Sequence, residues 1–188
     1  MEQVQPQTII IVVGVLVVVA LLVWALVRRQ RSEHLARRFG PEYERVVNQV
    51  GDRAKAEAEL AERARRHAAL HIVELPPADR DRFAGEWAAT QSRFVDDPAA
   101  AIAEADRLVA EAMRRRGYPM AEFEQRAADI SVDYPELVEN YRTGHTVAVA
   151  TGGGPANTED LRRAMVAYRA LFAELLGTRE PDLVAVRR

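Results

Sequence analysis

Cysteine is absent from the 188 residues. Disulfides, thiolate zinc sites, iron–sulfur clusters and thiol nucleophiles are therefore excluded, and the fold must stand on its hydrophobic core. Lysine is nearly absent too: Lys55 stands alone, and every other basic side chain is arginine. An excess of charge of one sign is also missing. Of 26 basic and 28 acidic residues, setting aside Glu2, Arg28, Arg29 and Arg31 leaves 23 against 27, a net of −4. Phosphate neutralisation needs a clustered positive excess, so nucleic acid is not an expected partner. Catalytic signatures are lacking as well. No serine stands beside a histidine in a nucleophile motif, and Thr151-Gly-Gly-Gly-Pro is followed by no Gly-Lys-Ser/Thr. Glu159 and Asp160 occupy the first turn of the helix after that loop, where they complement its dipole and would repel a phosphate. The chain reads as a non-enzyme without a cofactor.

What the chain has is one long apolar run. Thr8 to Val27 is twenty residues without a charge, enough for a helix to span a hydrocarbon core of about 30 Å. Trp24 lies one turn before Arg28 and Arg29, as expected of an interfacial indole. No basic residue precedes the run and no small-residue cleavage site follows it, so a retained signal-anchor is expected rather than a cleaved leader. Arg28, Arg29, Arg31, Arg37 and Arg38 follow the span and none precedes it. The positive-inside rule then makes this a single-pass inner-membrane protein, N-terminus outside and the remainder cytoplasmic. Trp24 and these five arginines are the expected membrane-interface residues, with the lipid bilayer as a partner.

The expected divisions are a short N-terminus 1–7, the span 8–27, a basic segment 28–40, a helical domain 41–176 and a tail 177–188. Gly40-Pro41 breaks the chain, and Tyr43, Val46, Val47 and Val50 then fall at helical spacing. Residues 52–70 are rich in Ala, Glu and Arg, with Leu60 the one large apolar residue before Leu70. A long, partly exposed helix with a thin apolar face is expected there, Gly51 being either a weak joint or a tolerated glycine. Such a face suggests pairing, with a protein partner or by self-association through 52–70. Pro76-Pro77 precedes a helix carrying Phe83, Trp87 and Phe94. Asp97-Pro98 opens another, with Asp97 as N-cap, Ile102, Ala105, Val109, Ala112 and Met113 inward, and Arg114–Arg116 then Gly117 at its end. A short helix holds Phe123, Ala127 and Ile130, and one from about Pro135 holds Leu137, Val138 and Tyr141. His145-Thr-Val-Ala-Val-Ala suits a short strand nearly as well. The last helix, about Thr158 to Leu176, carries Leu161, Met165, Tyr168, Phe172 and Leu175. Together these predict an all-α chain: one transmembrane helix, then a soluble bundle or irregular array of about six helices.

His67 and His71, at i and i+4, could share a helix face as weak metal candidates, with Glu74 or His145 as a third ligand. The proline pair just beyond frays that helix end, and solvated histidines are the better reading. Asp96, Asp97, Asp129 and Asp133 stand near turns, where capping accounts for Asp97 and Asp133. The aromatics Phe83, Trp87, Phe94, Phe123, Tyr141, Tyr168 and Phe172 read as core, the alternative being an aromatic-lined groove.

Several segments together, RRFGPEYERVV, GDRAKAEAELAER, RFVDDPAAAIAEADRLVAEAMRRRGYP, FEQRAADISVDYPELVENYR and TEDLRRAMVAYRALFAELL, resemble a bacterial family of short, N-terminally membrane-anchored helical proteins. The likeness covers most of residues 33–176. It implies an anchor and a helical domain, and brings no activity, cofactor or catalytic residue. The function expected from the sequence is thus a membrane-tethered interaction, scaffold or regulatory module. The alternatives are a small-ligand or metal-binding helical domain using His67 and His71, or an enzyme of unrecognised type.

Overall fold

The structure is a computed structural model that describes residues 6–151 and 157–177, with side chains from residue 14 onward. The expected N-terminus 1–7, most of the glycine loop at 152–155 and the tail beyond Gly177 lie largely or wholly outside the described residues. Those residues form eight helices and no strand, so the chain is all-α. They are α1 (Pro6–Phe39), α2 (Pro41–Val50), α3 (Arg53–Ala68), α4 (Pro77–Arg93), α5 (Pro98–Arg116), α6 (Phe123–Asp133), α7 (Val138–Thr151) and α8 (Thr158–Leu176).

Seven helices follow α1 where about six were expected, because Gly51 divides the long 41–70 segment. It adopts a left-handed conformation, φ 72°, and its N–H donates to the Val47 carbonyl. Asp52 then caps α3, its carboxylate accepting from Lys55 N at 2.9 Å. The basic segment 28–40 is no separate element; it continues α1 to Phe39. The possible strand at His145 is helix within α7, which starts at Val138 rather than Pro135 after a turn closed by Val138 N on the Tyr134 carbonyl.

The two ends of α5 follow its sequence signals. Asp97 accepts from Ala100 N at 3.0 Å, and Pro98 opens the helix. Gly117 closes it at φ 99°, a conformation that strains any side chain, and an added Cβ would also run into the His71 carbonyl.

Burial divides the molecule into two apolar clusters. The larger lies within α4–α8: α8 packs between α5 and α7, and α4 covers α5. Trp87 stacks on Phe172 at 4.8 Å, and Phe83 meets Phe172 edge-on at 6.1 Å. Of the expected core aromatics, Phe83, Trp87, Tyr141, Tyr168 and Phe172 are fully buried, while Phe94 and Phe123 pack half-buried at the margin. The smaller cluster joins Phe39 of α1, Tyr43 and Val46 of α2, Ala56 and Leu60 of α3, and Val132 of α6. The thin apolar face of α3 is thus used inside the chain, against α1 and α2.

The α7–α8 contact is closest at Gly144, where a Cβ would lie 2.7–2.8 Å from three Tyr168 ring carbons. That ring cannot easily give way, since it is fully buried and its hydroxyl donates to Asp106 Oδ1 at 2.6 Å. Gly85 of α4 has nothing within 4 Å of such a Cβ. Gly144→Ala should therefore destabilise by about 1–3 kcal/mol through overpacking. Gly85→Ala should stabilise by up to ~1 kcal/mol through helix propensity. Denaturant titration of both variants checks the opposite signs.

Candidate interaction surface

α1 is one helix in two environments. Its C-terminal part is held by the rest of the chain: Phe39 is fully buried, and Leu35 and Ala36 pack against the smaller cluster. Ser32 donates to the Glu57 carboxylate of α3. Tyr43 OH donates to the same Glu57 oxygen at 2.8 Å, and Arg53 Nε lies 3.0 Å from both that oxygen and the tyrosine hydroxyl. Partial burial pushes the Glu57 carboxyl up, but hydrogen bonds from Ser32, Tyr43 and Arg53 outweigh it and hold the group below the usual carboxylate range.

N-terminal to this root, among the described residues, the helix is exposed from Gly14 to Val27. From Val15 to Val27 the large aliphatic side chains are between 41% and 62% exposed, and Trp24 is 60% exposed. Consecutive residues in a helix point about 100° apart, so an unbroken exposed run is apolar on every side. An all-round hydrophobic helix is ordinarily found buried.

The expected transmembrane span is overturned: among the described residues no helix is long and apolar enough to cross a membrane. Of the expected span 8–27, the side chains described are those from Gly14 to Val27. Arg28, Arg29 and Arg31 then put charge into any longer window. The single-pass, signal-anchor and inner-membrane assignments, with their outside–inside orientation, are corrected with it.

The six side chains grouped as an interface all lie on α1, exposed, at or just beyond the end of the apolar run. The Arg28 guanidinium sits over the Trp24 ring at 5.4 Å from its centroid. Arg29 pairs with Glu33 at 3.0 Å, and Arg37 Nε donates to the Glu33 carbonyl at 3.3 Å. Arg31 borders a shallow groove with Val27, His34, Leu35 and Ala61. Arg38 points to solvent. They mark where α1 leaves the folded part of the chain.

Below the root is a buried ionic joint that the sequence did not suggest. Glu42, on the first turn of α2, is 2% exposed. Arg142 of α7 grips both its oxygens, at 2.8 and 2.9 Å, and Arg63 of α3 donates to Oε1 at 2.9 Å. Burial pushes the Glu42 carboxyl up, yet the hydrogen bonds and charges of Arg142, Arg63 and Arg45 prevail and hold it below the ordinary carboxylate range. Glu59 and Glu139 balance the two arginines from outside, at 2.5 Å from Arg63 and 3.7 Å from Arg142.

The histidine pair does not assemble. His67 lies near the end of α3, where its Nε2 is 2.8 Å from Asp133 Oδ2, an oxygen that also accepts from Tyr118 OH. His71 is exposed beyond the helix end at Ala68, and Glu74 is exposed in the same loop. His145 is engaged elsewhere, Nδ1 at 3.1 Å from Asp106 and its ring stacked on Phe123 at 3.8 Å. Among the described residues no group of three or more His, Cys, Asp or Glu side chains is placed to hold a metal ion. Asp97 caps α5 as expected, and Asp96 is exposed. Asp133 ends α6 instead of capping the next helix. Asp129 is buried, which raises its carboxyl despite a 2.8 Å bond from Gln125.

No family model, curated protein or solved structure matches this chain. No enzyme family or homologue is thus found for it.

The joint makes a prediction. Glu42→Gln leaves Arg63 and Arg142 buried without their counter-charge and should cost about 3–5 kcal/mol. Because the folded-state pKa of Glu42 is depressed, its contribution is fully present above about pH 4.5 and is lost as pH falls through the lower folded value. Urea titrations across pH 3–7 should show Glu42→Gln less stable at neutral pH and less sensitive to acid than the wild type.

Proposed function

We propose that the chain is a non-enzymatic interaction module that assembles through the apolar segment Gly14–Val27 of α1 and thereby gathers several copies of the α2–α8 body. The observation that carries this reading is the run of half-exposed aliphatic side chains from Val15 to Val27, on every side of a helix whose C-terminal part is firmly packed. Even as a smooth cylinder about 11 Å wide, a helix segment of ~21 Å has on the order of 700 Å² of lateral surface. A standard interface takes about 800 Å² from each partner, so most of this surface must be covered before the segment is content in water. An uncharged Val/Leu/Ala surface is complementary to itself, and one neighbour covers only one face. Assembly of more than two α1 helices is the arrangement that supplies enough cover.

Residues 52–70, the other contact region suggested by the sequence, are less suited to this role. Ala56 and Leu60 are already buried within the chain, and what α3 presents outward is mainly charged.

Sedimentation velocity of the purified full chain in detergent-free buffer tests the proposal. The wild type should sediment as a species of more than two copies at micromolar concentration. Val18→Glu/Leu22→Glu, which places two charges on the segment one turn apart, should sediment as the monomer with unchanged helix content. A wild type that stays monomeric up to about 100 µM would remove the basis of the reading, since its association would then be worth less than about 5.5 kcal/mol.

A further inference from the structure

α1–α3 centre on the smaller apolar cluster, into which Val132 of α6 is built, and α4–α8 on the larger; charged pairs line the seam between them. On the α1–α3 side stand Glu42, Arg45 and His67; facing them are Arg142, Glu139 and Asp133. The buried apolar side chain that crosses from the larger unit is Val132 of α6, which packs with the smaller cluster. Polar contact between units with their own cores leaves relative motion as the default. A buried ion pair fixes orientation more than it adds net stability over an apolar contact.

The connection between the units has the form of a hinge. Residues 69–76 contain no helix, and their second half is fastened to the larger unit. Val73 N donates to the Arg116 carbonyl at 2.8 Å, Arg116 Nε returns a bond to the Val73 carbonyl at 3.2 Å, and Leu75 is buried in the larger cluster. The first half is the turn that ends α3, where Ala69 N and Leu70 N bond back to Arg66 and His67. The freedom between the units is therefore concentrated near residues 69–71.

We propose that α1–α3 is an arm that opens from α4–α8 as one unit about residues 69–71, with the Glu42–Arg142 pair as its latch. Two further contacts close with it: His67 on Asp133, and Arg45 with Glu139 at 3.8 Å. The arm carries the exposed apolar segment of α1, so opening changes the direction in which that segment is presented to the body. The inference concerns the seam alone and holds whatever covers α1.

Hydrogen exchange of the full chain, read by peptide mass spectrometry, tests it. The small core of α1–α3 is marginal once undocked, so in Arg142→Gln the amides of α2 and α3 should exchange faster together, by about tenfold or more, while those of α5 and α8 stay within about twofold of the wild type. In the wild type, sub-denaturing guanidinium should release α2 and α3 at one common opening free energy below that of α5 and α8, a reading that does not depend on how well the variant folds. One common acceleration across all four helices would mean a single cooperative unit and overturn the proposal. So would unequal acceleration of α2 and α3, or coincident release of all four in the wild type.

Discussion

A carboxylate taken out of water must be met by positive charge, and Glu42 imposes that requirement on three helices at once. Desolvating an ion costs several kcal/mol even after relaxation. The side chain sits at 2% exposure only because Arg63 reaches it from α3 and Arg142 from α7. Gly40 and Gly51, both at positive φ, bracket α2 and set it where Glu42 faces inward. At Gly40 the approach is close: a Cβ would meet the Glu136 carboxylate at 2.7 Å. The position of the α1 root follows from the same contacts, because α1 reaches the rest of the chain mainly through α2, α3 and α6.

The division of labour between the two clusters follows from the sequence's economy of large apolar residues. α4–α8 hold most of the aromatics and bury them together. α3 has one large buried aliphatic, Leu60, and α2 is short, so the arm's own core is small. A unit of that size is marginal on its own, and charge-assisted contacts complete it. The same helix that closes this small core continues into an apolar stretch that is exposed among the described residues. The chain thus combines a large body core, a small arm core and an exposed apolar stretch, the arrangement that supports the proposed interaction module.

Helix periodicity and end signals made most of the fold legible in the sequence. Asp97-Pro98 and Gly117 bound α5, and the stripe from Leu161 to Leu175 is the buried face of α8. Gly51 was ambiguous because a helix tolerates glycine at modest cost; the Asp52 cap following it is what turns it into a joint. His145-Thr-Val-Ala-Val-Ala has the residues of a strand, but α7 and α8 pack face to face across Gly144, and tertiary contact overrides that local preference. The apolar run was legible, but its interpretation as a span was not upheld among the described residues. The ionic joint was invisible for a physical reason. Glu42 in a first turn reads as an ordinary helix-dipole partner, and Arg142, 100 residues later, carries no local sign of burial. The histidines at 67 and 71 were paired by spacing alone, which the end of α3 between them undoes.

The most direct test of this account is a double-mutant cycle across the joint, using Glu42→Gln, Arg142→Gln and the double variant, with unfolding free energies from urea titration at neutral pH. If Glu42 and Arg142 compensate each other's burial, the two changes couple by about 2–3 kcal/mol and the double variant is far less destabilised than the sum of the single ones. Additivity within about 0.5 kcal/mol would show that the pair does not act as a unit, and the joint would lose its place as the contact on which the arm depends.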